Sequence, residues 1–280
     1  MSDNNKICIK TMKEKNVVFF DIDDTLYDAK LGVPDSTVRA LKQLRVNGDL
    51  AFICTGRSKS MIFPFIKDLG FDGIIAGAGT YAEYDGKVLF RQDLDPSVGA
   101  KAVRELRQFG FIPIPEGHDH IYYEKKDKWN ETYGAVYGLF IQHIGDIMKE
   151  IPECEEDMCV AKVSSVFAKD SDLDGAISHF EKEYTVVNHN NFLLELIPNG
   201  SSKAEGIKRV LEELGLNYEN SYALGDSMND YEMITYVKHG IAMGNSCQQI
   251  LESADYVTER IECDGVAKAL EYFGLVKGVL

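Results

Sequence analysis

The stretch Val17-Val18-Phe19-Phe20-Asp21-Ile22-Asp23-Asp24-Thr25 places acidic side chains directly after four β-prone apolar residues. Four such residues in a row predict a buried central strand, and the acids follow where that strand ends. Residues two apart in extended backbone point to the same side, so we expect Asp21 and Asp23 to project together beyond the carboxyl end of the strand, where open α/β sheets bind ligands. Two carboxylates about 4 Å apart repel by roughly 4 kcal/mol at an effective dielectric of 20, so a buried pair calls for a cation. A turn of solvated acids is the alternative.

A second apolar run, Phe52-Ile53-Cys54, ends in Thr55-Gly56-Arg57 and predicts another strand followed by an anion-binding loop. A threonine hydroxyl and exposed loop amides can hold the oxygens of an anion. Further along, Ser202 and Glu205 have the spacing of a capping box, which places Lys203 in the first turn of a helix. A lysine there opposes the helix dipole, so an anion shared with the helix N-terminus explains it better than a structural role.

A third apolar run, Tyr222-Ala223-Leu224, leads into Gly225-Asp226-Ser227-Met228-Asn229-Asp230. This is another predicted strand end, and it carries two acids and an amide. Oxygen ligands from Asp, Asn and water are those that a hard divalent cation such as Mg²⁺ selects. The sequence therefore predicts a divalent cation and an anion at the same edge of a sheet.

These motifs resemble the haloacid dehalogenase superfamily of phosphotransferases. The signatures are D-x-D-x-T at 21–25, a hydroxyl residue ending a strand at Thr55, the lysine Lys203, and G-D-x-x-N-D at 225–230. Each is short, but four in this order, each at a predicted strand end or helix start, make a specific pattern. The resemblance covers about residues 16 to 273, and the segments 242–245 and 264–267 are similar to the closing segments of the Cof-like branch with a type IIB cap.

Two positions depart from the Cof-like pattern. Asp24 stands where many members have glycine; we expect it to cap the following turn, with a supporting role at the metal as the alternative. Ala78-Gly79-Thr80 stands where many members have Asn-Gly-Ala, which removes one polar group near the site.

The resemblance implies a role for each matching residue. Asp21 is then the nucleophile that forms an aspartyl-phosphate, and Asp23 is the acid that protonates the leaving group and later the base that activates water. The implied Mg²⁺ ligands are Asp21, the backbone carbonyl of Asp23, and Asp226. Asp230 is expected to act through a water bound to the metal or by a hydrogen bond to one of these ligands. Phosphate oxygens are expected to be held by Thr55, Gly56 and the loop amides, Lys203 and Asn229.

Composition narrows the class of protein. The chain has 280 residues, a hydrophobic content of 45% and a formal net charge of −15, which suits a globular protein of one large or two modest domains. So acidic a chain is not expected to bind nucleic acid or an anionic membrane. The six cysteines form no C-x-x-C pair, and Met1 to Asn16 lacks the apolar core of a signal peptide, so we expect free thiols and a cytoplasmic location.

The order of elements predicts an α/β fold, a Rossmann-like parallel-sheet core with an inserted α+β cap domain. A helix over 34–47, a helix over about 58–69 that Pro64 should kink or restart, and a strand over 73–76 continue the βα alternation. A hairpin signal at 81–90 then opens a region with helices over 97–109 and 172–184 and strands over 159–168 and 192–197. We therefore predict core segments at 1–84 and 198–280 and a cap at 85–197.

The expected function is Mg²⁺-dependent hydrolysis of a small phosphorylated metabolite, with sugar phosphates the favoured class, by a monomer or small homo-oligomer. A phosphomutase is the first alternative, because phosphomannomutases share this cap type. A receiver-like phosphorylation switch is the second, although receivers lack an acid at the position of Asp23 and lack a cap. His118, Trp129 and His189 are candidate specificity residues in the cap, and each could instead be an ordinary packed residue. The cap motifs do not identify the substrate.

Overall fold

The computed structural model describes residues 14–189 and 191–280 and divides into two compact units. The core unit consists of the chain up to Gly56, Lys67–Phe90 and Ser202–Leu280, and the inserted unit consists of Arg57–Ile66 and Arg91–Ser201. Cys8 and most of the N-terminal segment assessed for a signal peptide lie outside the described residues. The five described cysteines are free thiols.

The core unit is built on an eight-stranded sheet that is parallel through its centre. Its strands are β1 (Val17–Phe20), β2 (Leu50–Cys54), β3 (Gly73–Ala76), β4 (Tyr81–Tyr84), β5 (Lys87–Arg91), β12 (Ser221–Gly225), β13 (His239–Ala242) and β14 (Tyr256–Val257). The spatial order is β14-β13-β12-β1-β2-β3-β4-β5. All four residues of β1 are fully buried, as their apolar side chains on both faces require. The predicted central strand and α/β class are confirmed.

Helices cover both faces of this sheet. They are α1 (Asp35–Val46), α6 (Lys203–Leu214), α7 (Tyr231–Tyr236), α8 (Gln248–Ser253) and α9 (Gly265–Tyr272). A further short helix, α2 (Pro64–Lys67), lies at the end of the first segment of the inserted unit. Leu41 and Leu44 of α1 pack with α9 in one apolar cluster, and Ile207 and Val210 of α6 pack in the other. Pro64 begins α2 after a short 3₁₀ turn at Lys59–Met61, so the predicted restart of the helix is confirmed.

The hairpin of β4 and β5 differs from its predicted assignment. We placed the boundary between core and cap at residue 85, in the turn of this hairpin, but both strands belong to the core sheet. β4 pairs antiparallel with β3, so that Gly73 lies opposite Tyr84 and Ala76 lies opposite Tyr81. This pairing supplies hydrogen-bond partners to the backbone groups along that edge of β3. A hairpin pattern indicates antiparallel pairing but not which sheet the pair extends. The segment 57–66, which we assigned to the core, clusters with the inserted unit, and the second boundary falls at residue 201 instead of 197.

The inserted unit contains a six-stranded sheet of order β10-β11-β9-β6-β7-β8. The strands are β6 (Phe111–Glu116), β7 (Ile121–Tyr123), β8 (Met148–Glu150), β9 (Lys162–Phe167), β10 (Tyr184–His189) and β11 (Leu193–Pro198), and the helices are α3 (Pro96–Gln108), α4 (Glu131–Ile144) and α5 (Leu173–Phe180). Side chains of α3 and α5 pack with one face of the sheet in a single apolar cluster. The sequence patterns did not predict α4, and the helix predicted over 172–184 ends at Phe180 because Tyr184 pairs with Pro198.

The opposite face of this sheet carries a buried ionic cluster. Lys162 Nζ lies 2.6 Å from Glu195 Oε1 and 3.4 Å from Glu116 Oε2, and Ser164 donates a hydrogen bond to Glu116. All four side chains are buried. No helix among the described residues is both long enough and apolar enough to span a bilayer.

Candidate active site

Three neighbouring parallel strands of the core unit end in polar residues at the same edge of the sheet. β1 lies between β12 and β2, with Phe20 paired to Leu224 on one side and to Ile53 on the other. Asp21 follows β1, Thr55 follows β2 and Asp226 follows β12, and all three are buried. Parallel strands present their carboxyl ends at one edge, so this pairing brings the three side chains to a single location.

Lys203 places a positively charged side chain among these residues. Its side chain is 1% exposed, and its Nζ donates hydrogen bonds to Asp21 Oδ1 at 2.6 Å, to Asp230 Oδ1, and to Asn229 Oδ1 at 3.4 Å. Ser202 caps α6 by accepting from the Glu205 amide, which places Lys203 in the first helical turn as predicted. Burial alone disfavours an ammonium, but the charges of Asp21 and Asp230 reverse that effect and raise the pKa of Lys203 above its usual range. Lys203 is therefore charged throughout the physiological range.

Asp230 holds both Lys203 and the loop that carries Asp226. Its Oδ1 accepts from Lys203, and its Oδ2 accepts from the amides of Asp226 at 3.0 Å and Ser227 at 3.1 Å. Both oxygens are thus engaged by hydrogen bonds. This arrangement holds the loop backbone at Asp226 and Ser227 and the Lys203 ammonium in place.

The carboxylates are suited to a hard cation. Carboxylate oxygens of Asp21, Asp226 and Asp230 lie within 4.8 Å of one another. Burial first, and then the charge of Asp230, raise the pKa of Asp21 well above its usual range, although Lys203 opposes this. Burial, with the charges of Asp230 and Asp24, raises the pKa of Asp226 to about 7. Three acids facing one ammonium leave excess negative charge, and an all-oxygen donor set of this kind fits a hard divalent cation.

The predicted anion-binding residues lie beside this cluster. Thr55 follows β2 at the sheet edge, and its backbone carbonyl accepts from the amide of Ala78 at 3.1 Å. A side chain added at Gly56 would stand 3.5 Å from Asn229 Nδ2, so the loops after β2 and β12 approach closely. Asn229 Oδ1 accepts from Lys203 and from Ser227 Oγ, which leaves its Nδ2 facing the Gly56 loop. Hydrogen-bond donors therefore converge near the carboxylates.

Asp23 differs from Asp21 in its exposure to solvent and in the backbone that leads to it. Strand β1 ends at Phe20, and the amides of Leu26 and Tyr27 both donate to the Ile22 carbonyl, so the chain turns instead of continuing as a strand. Asp21 is buried and Asp23 is exposed. The extended backbone expected from Asp21 to Asp23 is replaced by a turn, and Asp23 is more exposed than Asp21. Asp23 nevertheless lies close enough for its charge to contribute to the raised pKa of Asp21.

Two residues had no assigned role in the sequence but contact the site. Thr25 Oγ1 donates to Asp226 Oδ1 at 3.3 Å, and Asn245 Nδ2 donates to the Asp24 carbonyl at 3.1 Å. Thr25 is the last residue of the D-x-D-x-T spacing, which was the available signal for it. Asn245 lies in a segment that the resemblance included, but nothing in the sequence indicated its contact.

The three candidate specificity residues of the inserted unit have separate surroundings. His118 is buried and its Nε2 lies 3.1 Å from the Gln92 carbonyl oxygen. Trp129 Nε1 donates to the Glu124 carbonyl at 2.6 Å, and its ring packs against three tyrosines. His189 is partly exposed, with Nε2 3.1 Å from Glu195 Oε2. Each side chain is held within its own unit by these contacts.

Sequence comparisons connect this geometry to known proteins. A family model described as haloacid dehalogenase-like hydrolase matches residues 18–270. The putative phosphatase YkrA of Bacillus subtilis (strain 168) is 31% identical over 267 residues, which cover 94% of this chain and 100% of the relative. The 5-amino-6-(5-phospho-D-ribitylamino)uracil phosphatase YcsE of the same organism is 26% identical over 267 residues, which cover 92% and 96%.

Two solved structures are similar in fold to this chain. A hypothetical protein of Geobacillus kaustophilus HTA426 superimposes with a TM-score of 0.81 at 27% identity, over 94% of this chain and 100% of the other. The HAD subclass IIB sugar phosphatase BT4131 has a TM-score of 0.80 at 24% identity over the same shares. At that identity the second likeness shows a common fold.

Proposed function

This chain belongs to the haloacid dehalogenase-like hydrolases and is a phosphatase of the Cof-like branch, and from that premise we propose that it hydrolyses phosphate monoesters through an aspartyl-phosphate on Asp21 with a bound divalent cation. The observation that carries the proposal is the buried contact of Lys203 Nζ with Asp21 at a strand end, beside Asp226 and Asp230. A nucleophilic carboxylate adjoining a fixed ammonium can approach a phosphate whose charge would otherwise be repelled.

In the first step, an oxygen of Asp21 attacks phosphorus, and the bond from phosphorus to the leaving oxygen breaks. Asp23 donates a proton to that oxygen, so the leaving group departs as an alcohol. In the second step, water attacks the aspartyl-phosphate and gives its proton to Asp23. Inorganic phosphate leaves, and Asp21 is regenerated as a carboxylate.

The remaining residues hold the phosphate oxygens. Lys203, the Thr55 hydroxyl, Asn229 Nδ2 and the amides after Thr55 supply donors to the charge that develops during transfer. Asp230 keeps Lys203 in place, since one of its oxygens accepts from the ammonium and the other from two loop amides. These groups are preorganised by the fold, so little rearrangement is needed when phosphate binds.

Asp21, Asp226 and the backbone carbonyl of Asp23 would hold the cation, which we propose to be Mg²⁺. When bound, it neutralises part of the charge on the transferring phosphoryl group. Its positive charge also offsets the repulsion that raises the pKa of Asp21 and Asp226, so both carboxylates ionise more easily.

We propose a sugar phosphate or sugar-alcohol phosphate as the substrate class. The support comes from similar proteins: one solved neighbour is a sugar phosphatase, and one relative acts on a 5-phospho-D-ribitylamino compound. The site of the core unit offers groups for phosphate but does not itself distinguish among leaving groups.

The test is phosphate release from a panel of phosphorylated metabolites with Mg²⁺, with Asp21→Asn compared with Asp127→Asn, an exposed acid of the inserted unit. An amide cannot attack phosphorus, so Asp21→Asn should keep its circular dichroism spectrum and lose turnover, while Asp127→Asn keeps both. A loss below about tenfold, or about 1.4 kcal/mol of barrier, would exclude Asp21 as the nucleophile. Product that retains the phosphoryl group, with little free phosphate, would favour a phosphomutase.

A further inference from the structure

Helix α4 of the inserted unit presents an uncharged surface to solvent. Residues 132–142 include no acidic or basic side chain, although 27% of the residues of the whole chain are charged. Leu139 is 47% exposed and Ile141 is 42% exposed. On α3 of the same unit, by contrast, the exposed positions beyond the first turn are Lys101, Arg104 and Gln108. The solvent side of a surface helix is normally polar, like that of α3, so water alone does not account for the surface of α4.

This surface lies on the side of α4 that points away from the sheet. Of the residues of α4, Tyr133 and Ile144 are buried, and the Tyr133 hydroxyl donates to the Pro113 carbonyl of β6 at 3.1 Å. A Cβ added at Gly138 would lie in open space. An exposed apolar surface bordered by polar residues is typical of an interaction site. We define the α4 face by four residues that are not buried, Ala135, Gly138, Leu139 and Ile141.

Segments of opposite charge flank the α4 face. Residues 125–131 contain three exposed lysines and two exposed acids, which gives this segment a net charge of +1. After the helix, residues 146–150 contain exposed Asp146, Lys149 and Glu150, a net charge of −1. The helix dipole has the same direction, positive at its beginning and negative at its end. Two such helices packed antiparallel place each basic segment beside the acidic segment of the other, whereas parallel packing brings like charges together.

We propose that the α4 face is the interface of a homodimer in which the α4 helices of two copies pack antiparallel. A second copy supplies the same uncharged face and the complementary flanking charges, so one two-fold contact matches both copies. Because Gly138 has no side chain, the two backbones can approach closely near the middle of the helices, and Leu139 and Ile141 are removed from water. A helix of 14 residues is about 21 Å long, so a contact centred on it is small and monomers and dimers should be in equilibrium.

The experiment is sedimentation equilibrium of the full chain at about 1 to 300 µM, a range chosen for a small interface. The parent protein should dimerise within this range. Leu139→Lys should raise the dissociation constant at least about tenfold, because each dimer loses two buried leucines and gains two buried charges. Val46→Lys is the matched control, because Val46 is also an apolar helix residue and is 78% exposed, but it lies on α1 of the core unit. It should leave the dissociation constant unchanged. Circular dichroism checks that both variants are folded.

Charge reversal tests the antiparallel arrangement. Lys126→Glu with Lys128→Glu should weaken the dimer about threefold or more, and so should Asp146→Lys with Glu150→Lys. The variant that combines all four changes should recover the affinity of the parent, because the opposite charges then meet again. A parent protein that stays monomeric, or a dimer that Leu139→Lys and Val46→Lys affect equally, would refute the α4 interface. A combined variant that dimerises no better than either pair would refute the antiparallel packing.

Discussion

Replacement of Lys203 by methionine tests the electrostatics of the site most directly. Methionine keeps much of the length and the apolar stem of lysine but removes the ammonium. In the structure this ammonium lies 2.6 Å from Asp21 and also contacts Asp230, and the side chain is 1% exposed. The substitution therefore leaves buried carboxylates without a partner while it creates little empty volume.

The substitution is expected to lower the free energy of unfolding by a large amount at alkaline pH and by a small amount at acid pH. Removing one partner of a buried ion pair typically destabilises a protein by about 3–5 kcal/mol. At pH 8 in chelator Asp226, whose pKa is about 7, is largely ionised, and its uncompensated charge should make the cost large. At pH 5, two units below the pKa of Asp226, that acid is largely protonated, so the cost should fall.

The assay is urea unfolding followed by circular dichroism at pH 8 and pH 5, with Lys208→Met as the matched control. Lys208 lies on the same helix but is about half exposed, 4.0 Å from Glu205, and should contribute at most about 0.5 kcal/mol. Mg²⁺ should restore part of the stability of Lys203→Met, because it supplies positive charge to the same carboxylates. A cost below about 1 kcal/mol at pH 8, or one that does not change with pH, would refute the account of Lys203 as their charge partner.

Three other measurements test separate parts of the molecule. Asp23→Asn should slow hydrolysis of alkyl phosphates far more than that of an activated aryl phosphate, whose leaving group needs no proton; equal losses would contradict its role as the acid. The metal-free protein should become more stable as pH falls from 7 to 5, by about 2 kcal/mol in all from Asp226 alone, because its folded pKa of about 7 lies above the unfolded value and folding favours the protonated acid. Urea unfolding in chelator measures this, and a stability that falls over that interval would contradict the sign. Lys162→Met should destabilise the protein by about 3–5 kcal/mol in urea, since it removes the ammonium that lies between two buried glutamates, whereas Lys149→Met at an exposed position should not; similar values for both would argue against the ionic cluster.

Several elements could be predicted from the sequence because their signals are local. The apolar run 17–20 and the strand at 73–76 appear with the expected bounds, and the helix expected over 34–47 spans Asp35–Val46. Helix α4 was missed for an equally local reason. Its sequence is apolar around much of its circumference and includes Gly134 and Gly138, so it lacks the alternation of polar and apolar faces that identifies a surface helix.

The spacing of short motifs determined which strand ends carry acids and that Lys203 begins a helix. Tertiary structure alone decided how these groups meet. Lys203 and Asp21 are 182 residues apart, and their contact depends on β1 lying between β2 and β12, an order that no local pattern encodes. The exposure of Asp23 also depended on the tertiary structure. The amides of Leu26 and Tyr27 donate to the Ile22 carbonyl, so the backbone turns after the strand, and the Asp23 side chain is exposed. Residue periodicity reports the local backbone, whereas the distances between charges depend on strand order and on loop hydrogen bonds between distant segments.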